Sequence, residues 1–267
     1  MFVPDMRRVW RSGTEIAGVV RLIEAGRSDR EVALATGIPY ETIRAWRSGR
    51  LPERARRVLA GVPECAGCGG AAHDLDALPR DDYAYLLGMY LGDGCLAQTR
   101  KGACSLRISL DVVYPGIIRS AREAIAAVKG GPLPHVAPHG ASACVVITSY
   151  WKAWRCLFPQ HGPGHKHERR ILLESWQDDI VAAAPQAFLR ALIHTDGWRG
   201  TNRVRVKGRD YAYPRYQFSN RSDDIRQLFT DTCDRIGVAW RPWGPYHVSI
   251  ARREAVAMLD TFIGPKD

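Results

Sequence analysis

Two stretches, Tyr83–Gly94 (YAYLLGMYLGDG) and Phe188–Gly197 (FLRALIHTDG), decide how the rest of this sequence is read. Each is an apolar stretch of helical character ending in Asp-Gly. Each has a small residue five positions before the acid, Gly88 in one and Ala191 in the other. Small residues at matched positions let two helix backbones approach closely. The helix ends then meet, and with them Asp93 and Asp196, which lie 103 residues apart in the chain. One such helix is an ordinary C-terminal turn; two with the same internal spacing form a pattern. Two carboxylates converging at the foot of a helix pair are costly unless a cation neutralises them. Mg2+ or Mn2+ is the hard, oxygen-seeking kind of ion that suits the position.

The segment after each helix repeats as well. Leu106–Asp111 (LRISLD) alternates apolar and polar residues after the first acid. After the second, Arg203–Lys207 (RVRVK) alternates, and Arg215, Gln217 and Ser219 alternate with Tyr216 and Phe218. Period-two alternation marks strands with one covered and one open face. Helices are predicted at Pro115–Val128 and Asp223–Ile236, further strands at Cys144–Thr148 and His247–Ile250, and closing helices at Tyr150–Phe158 and Arg252–Phe262. The order αββαββα thus occurs twice. The fold class is α+β, with an internal repeat over residues 81–180 and 181–267.

The first 60 residues read differently. Glu15–Glu24 carries Ile16, Val19, Val20 and Ile23 at helical spacing. Gly26 stops that helix, Ser28 or Asp29 caps a second over Arg30–Thr36, and Gly37 breaks it before a third at Tyr40–Arg47. Ala33, Gly37, Ile38 and Ile43 stand where a helix-turn-helix needs a small contact, a turn and buried aliphatics. The third helix then presents Tyr40, Glu41, Arg44 and Arg47 to a DNA major groove. A three-helix interaction module with a basic surface is the plainer alternative, but charge and pattern favour DNA together.

Pro63 and the run Gly67–Gly70 mark residues 61–80 as a linker. It contains Cys65-Ala-Gly-Cys68, the spacing that presents two thiolates to one Zn2+, with His73 as a third candidate ligand. No second CxxC supplies the rest, so an unmetallated cysteine pair is the other reading.

Composition sets the outer bounds. The 267 residues carry a formal charge of +10 from 38 Lys and Arg against 28 Asp and Glu, which points to a polyanionic partner. Residues 1–60 hold 12 of the cations and 7 of the acids, so half the excess lies in under a quarter of the chain. The 7 cysteines form no dense framework and suit a reducing compartment. No apolar run approaches bilayer length, and Met1–Arg11 lacks the apolar core of a signal peptide. A cytoplasmic, nucleoid-associated protein without membrane contact is expected.

On LLGMYLGDG (Leu86–Gly94) and LRALIHTDG (Leu189–Gly197), residues 81–267 resemble a single-chain, pseudo-dimeric LAGLIDADG homing endonuclease. The departures are Leu91 and His194 where the motif name has its first Asp, and Arg190 and Ala191 in place of Ala-Gly. The resemblance implies two four-stranded sheets forming a saddle on the major groove, cleavage across the minor groove, and Asp93 and Asp196 as the metal-binding acids. Arg107, Arg203, Arg205, Lys207, Arg215 and Gln217 are expected on the open strand faces, their apolar neighbours turned to the helices.

Only 6 of the cations are lysine, and two of these match across the repeat. Lys166 lies 73 residues after Asp93 and Lys266 lies 70 after Asp196, each just past the last helix of its repeat. The resemblance gives a basic residue there a place in the solvent pocket beside the metals. The reading is a monomeric, site-specific double-stranded DNA endonuclease with an internal pseudo-two-fold. A non-catalytic transcriptional regulator built on the same fold is the alternative. RNA binding has no motif in its favour, and the absence of splice-junction residues beside the core argues against an intein.

Overall fold

Ser12 begins the first helix by exchanging hydrogen bonds with Glu15: its hydroxyl accepts from the Glu15 N–H at 3.0 Å, and the Glu15 carboxylate accepts from the Ser12 N–H at 2.7 Å. Ser28 and Glu31 repeat this capping box one helix later. The result is α1 (Gly13–Glu24) and α2 (Asp29–Thr36), each starting slightly earlier than periodicity suggests. Gly37, at φ 64°, ends α2 in the left-handed conformation that glycine adopts most readily. Next come α3 (Tyr40–Arg47), matching its expected span, and an unforeseen α4 (Glu53–Leu59). Ile16, Val19, Ile23, Val32, Ile38, Ile43, Trp46 and Ala55 form their shared core.

A computed structural model describes residues 10–99, 103–140, 142–264 and 266, so the expectation for Met1–Arg11 falls mostly outside the described residues. The chain divides into two compact units, Met1–Asp74 and Leu75–Asp267. Among the described residues no helix is long and apolar enough to cross a membrane.

The second unit begins with α5 (Arg80–Asp93), β1 (Gly94–Gln98), β2 (Cys104–Asp111), α6 (Pro115–Lys129), β3 (His135–Pro138), β4 (Cys144–Tyr150) and α7 (Trp154–Leu157). After a single 3-10 turn at Lys166–Glu168 and α8 (Ser175–Ala183), the order returns: α9 (Pro185–Asp196), β5 (Gly197–Val206), β6 (Arg209–Ser219), α10 (Asp223–Arg235), β7 (Arg241–Pro242), β8 (His247–Ile250) and α11 (Arg253–Asp260). Both four-stranded sheets are antiparallel, with orders β1-β2-β4-β3 and β5-β6-β8-β7. They are therefore topological copies.

Burial obeys the pleat in β2. From Leu106 onward, Leu106, Ile108 and Leu110 are buried, whereas Arg107, Ser109 and Asp111 are exposed; Ser105, at the start of the strand, is buried too. Helix α5 is buried at every position from Tyr83 to Leu91, which makes it a core element rather than a surface helix. It lies against α9 at two matched points. A Cβ on Gly88 would stand 2.6 Å from the Ala191 Cβ, and one on Gly92 would stand 2.1 Å from the Thr195 Oγ1. Neither glycine has room for a methyl group unless the partner helix moves.

Gly88→Ala should therefore lower unfolding stability by about 1–3 kcal/mol through overpacking. Adding Ala191→Gly should recover part of the loss. Thermal or urea unfolding of the two single variants and the pair measures this; strictly additive losses would place the contact elsewhere.

Candidate active site

Helices α5 and α9 each turn directly into a strand through glycine, Gly94 and Gly197. A Cβ on Gly94 would lie 2.5 Å from the Tyr90 Cα, and one on Gly197 would lie 2.6 Å from the Ile193 Cα. Asp-Gly is thus the sequence form of a sharp exit: the acid is the last helical residue and the glycine gives the strand room to leave.

The exits bring four charged side chains into one neighbourhood. Burial raises the Asp93 carboxyl to about 6, and the negative charge of Asp196 adds to the rise, while Lys166 and Lys266 oppose it. Asp93 is nonetheless exposed, so water screens part of the effect. Burial also raises Asp196, against which Asn220 donates its Nδ2–H to Oδ2 at 2.9 Å.

Lys166, on the 3-10 turn, donates from Nζ to the carbonyls of Tyr90 at 2.5 Å and of Leu91 and Gly92 at 3.0 Å, the last turn of α5. Burial pulls its ammonium down to about 8, and the two aspartates pull it back up. Lys266 donates to the Gly197 carbonyl at 2.6 Å and is lowered by burial in the same way. A cleft beside the acids is lined by His161, His165, Lys166, Asn220, Arg221 and His247 among others.

His194, which departs from the motif, is buried and built into the frame. Its Nδ1 lies 2.9 Å from the Tyr85 hydroxyl and its Nε2 lies 3.1 Å from the Ile263 carbonyl. Nε2 must donate to that carbonyl, so Nδ1 accepts from Tyr85. One histidine thereby links both motif helices to the segment that carries Lys266.

The proposed DNA-contacting residues are distributed unevenly. Arg107 pairs with Cys95 and Thr148 on the open face of the first sheet. Arg215 and Gln217 lie on the open face of the second, with the Arg215 guanidinium 5.5 Å above the Trp243 ring. Gln217 donates toward His247 Nδ1 at 3.2 Å.

Three expectations are corrected. Arg203 and Arg205 share the parity of Tyr216 and Phe218, the helix-facing side, yet they are exposed because the outer β5–β6 hairpin runs past the core. For the same reason Val204 and Tyr211 are exposed rather than turned to helices. Lys207 is not a strand residue: it takes φ 50° in the turn with Gly208. Arg47 does not project from α3 alone. It donates to Asp29 Oδ1 at 2.6 Å and to the Arg27 carbonyl at 2.5 Å, bracing α3 against α2. Tyr40, Glu41 and Arg44 are exposed on α3.

Sequence reasoning missed Asn220, Trp243 and the stacked pair Tyr211 and Tyr213, whose ring centroids are 6.0 Å apart. An asparagine just past a strand end carries no local signal; only the second helix end gives it a partner.

No protein-family model and no curated protein matches the sequence. Solved structures of single-chain LAGLIDADG meganucleases are similar in chain path. I-DmoI in complex with DNA and Mn shares 12% identity at TM-score 0.46, over 70% of this chain and 98% of that one. LAGLIDADG meganuclease I-AabMI bound to uncleaved DNA shares 10% at 0.45, over 67% and 82%. I-SmaMI bound to uncleaved DNA with calcium ions shares 9% at 0.43, over 68% and 84%. Scores and identities this low transfer no function.

The electrostatics give a signed prediction. A carboxyl raised on folding favours the folded state while protonated, and that contribution is lost as pH rises through about 6. In chelator, Asp93→Asn should raise the melting temperature above this pH, and its advantage should shrink as the pH falls below it. Melting curves of both proteins across pH decide the matter, and an advantage that does not depend on pH would refute the coupling.

Proposed function

We propose that the chain is a site-specific double-stranded DNA endonuclease of the LAGLIDADG type, dependent on Mg2+ or Mn2+. The observation that carries this reading is the convergence of Asp93 and Asp196 at two packed helix ends, each with a lysine held beside it. Two carboxylates and the neighbouring backbone carbonyls offer only oxygen, the donor set that hard divalent ions select. A bound ion supplies Lewis acidity toward a phosphate oxygen and a water.

The chain's own groups do the rest. Asp93 and Asp196 hold the charge centre. Lys166 and Lys266 offset the charge growing on the scissile phosphate and orient the attacking water. The water oxygen joins phosphorus as the bond to the 3′ oxygen breaks; the water gives up a proton to solvent and the departing 3′ oxygen takes one up from solvent, leaving a 5′ phosphate and a 3′ hydroxyl. Arg107, Arg215 and Gln217 contact the duplex from the open sheet faces, while Arg203, Arg205 and Lys207 reach phosphates from the outer hairpin. Helices α2 and α3 act as a helix-turn-helix, with Tyr40, Glu41 and Arg44 toward the groove and Arg47 as the brace.

A plasmid-library cleavage assay with Mg2+ or Mn2+ tests the reading. Asp93→Asn and Asp196→Asn should each abolish double-strand cleavage, with binding in Ca2+ nearly unchanged. Lys166→Met and Lys266→Met should slow cleavage by about one to three orders of magnitude. Site-specific binding with no cutting under any divalent ion would favour the regulator instead.

The role of the first unit is tested separately. Arg44→Ala should weaken binding and reduce the magnitude of the log-affinity versus log-salt slope by about 1, the loss of one phosphate contact. An unchanged slope and affinity would remove α3 from the DNA interface.

A further inference from the structure

The first unit holds a group of ligating side chains that the proposed cleavage does not use. After α4, Glu64 and Ala71 form an isolated antiparallel bridge, closed by hydrogen bonds from the Ala72 N–H to the Pro63 carbonyl and from the Cys65 N–H to the Gly70 carbonyl, both 2.9 Å. Between them Cys65-Ala-Gly-Cys68-Gly-Gly70 makes a tight turn. The Gly69 N–H donates to the Cys65 carbonyl at 2.8 Å, and Gly69 takes the left-handed φ of 64°. A side chain on Gly69 would meet the Trp10 ring at 3.1 Å. The turn thus requires glycine both for its backbone angle and for space.

The turn aims its donors inward. The Gly70 N–H donates toward the Cys68 Sγ at 3.4 Å and fixes the position of that sulfur. His73, just beyond the bridge, brings Nε2 to 3.4 Å from the same sulfur. The ligand atoms of Cys65, Cys68 and His73 all lie within 4.8 Å of one another. Around a tetrahedral zinc, Zn–S and Zn–N bonds of ordinary length put sulfur and nitrogen about 3.6 Å apart, close to the observed separation.

We propose that Cys65, Cys68 and His73 bind a structural Zn2+ ion, filling three of its four tetrahedral positions. The ion would anchor more than the turn. Glu64, adjacent to Cys65, accepts from the Gly13 and Thr14 N–H groups at 3.0 Å each and from the Thr14 hydroxyl at 3.1 Å. Its carboxylate therefore caps the start of α1 from 50 residues away. A short turn with three glycines has little apolar surface to hold it, and a metal–thiolate clip supplies the missing constraint. The helical unit then depends on zinc for the position of its first helix. This assignment stands independently of the nuclease reading.

The test uses the full chain, purified without chelator, with metal content measured directly. The wild type should carry about one zinc per chain. Cys65→Ser, Cys68→Ser and His73→Ala should each carry almost none, while Cys144→Ser, outside the turn, should keep it. Because a ligand variant could lose metal merely by misfolding, cobalt titration of metal-stripped wild type provides a second readout. Tetrahedral ligand-field bands and a thiolate-to-cobalt charge-transfer band should appear at one equivalent and vanish on adding Zn2+. Wild-type protein without zinc and without those bands would overturn the proposal, as would full zinc content in both serine variants.

Discussion

The close approach of two helix backbones is the constraint on which the second unit depends. Gly88 meets Ala191 and Gly92 meets Thr195, so the approach is made twice by matched positions of the two repeats. Thr195 suits the second contact because its hydroxyl is already bonded to the Ala191 and Leu192 carbonyls, 3.1 Å each, and asks nothing of its neighbour. With the axes this close, the two exits through Gly94 and Gly197 start their sheets from adjacent points. The acids converge as a by-product of the same packing. A wider crossing would keep both sheets but separate the carboxylates, and the electrostatic tension between them would disappear.

That tension is managed locally. The two lysines offset the rise at both acids, and Asp196 has Asn220 as a neutral donor in addition. His194 holds the tail bearing Lys266 by a hydrogen-bond chain through both motif helices. Breaking that chain would leave polar groups unsatisfied in an apolar core, so the frame and the charge arrangement are protected by the same buried contacts.

Much of this architecture is legible in the residues alone, for identifiable reasons. The repeat shows because long helices and alternating strands leave strong periodic signals, and the lysines stand out because so few occur. Other elements are invisible because they are short or depend on partners. β3 is four residues ending in Pro138, β7 is two residues, and β1 starts at Gly94, directly after the last residue of α5. Helix α8 covers Tyr83 through buried Gln177, whose Nε2 donates to the Tyr83 hydroxyl at 2.8 Å, a role no local pattern announces. The face of Arg203 and Arg205 is misjudged because alternation reveals a covered side only where something covers it, and the outer hairpin is exposed on both sides. Arg47 is misjudged because a basic residue at the end of a recognition-like helix looks the same in sequence whether it reaches outward or braces a neighbour.

The quartet of Asp93, Asp196, Lys166 and Lys266 has formal charges that cancel. At rest it is a neutral assembly, and Lys166 already occupies the carbonyls at the end of α5. In the proposed nuclease a divalent ion therefore enters as a competitor of a tethered cation, and its arrival leaves the assembly positive. A phosphate backbone in the cleft restores balance. Ion and duplex then each raise the other's affinity by the same factor, since coupling between two ligands is reciprocal. On the proposed reading, neutrality at rest makes DNA itself part of what holds the ion.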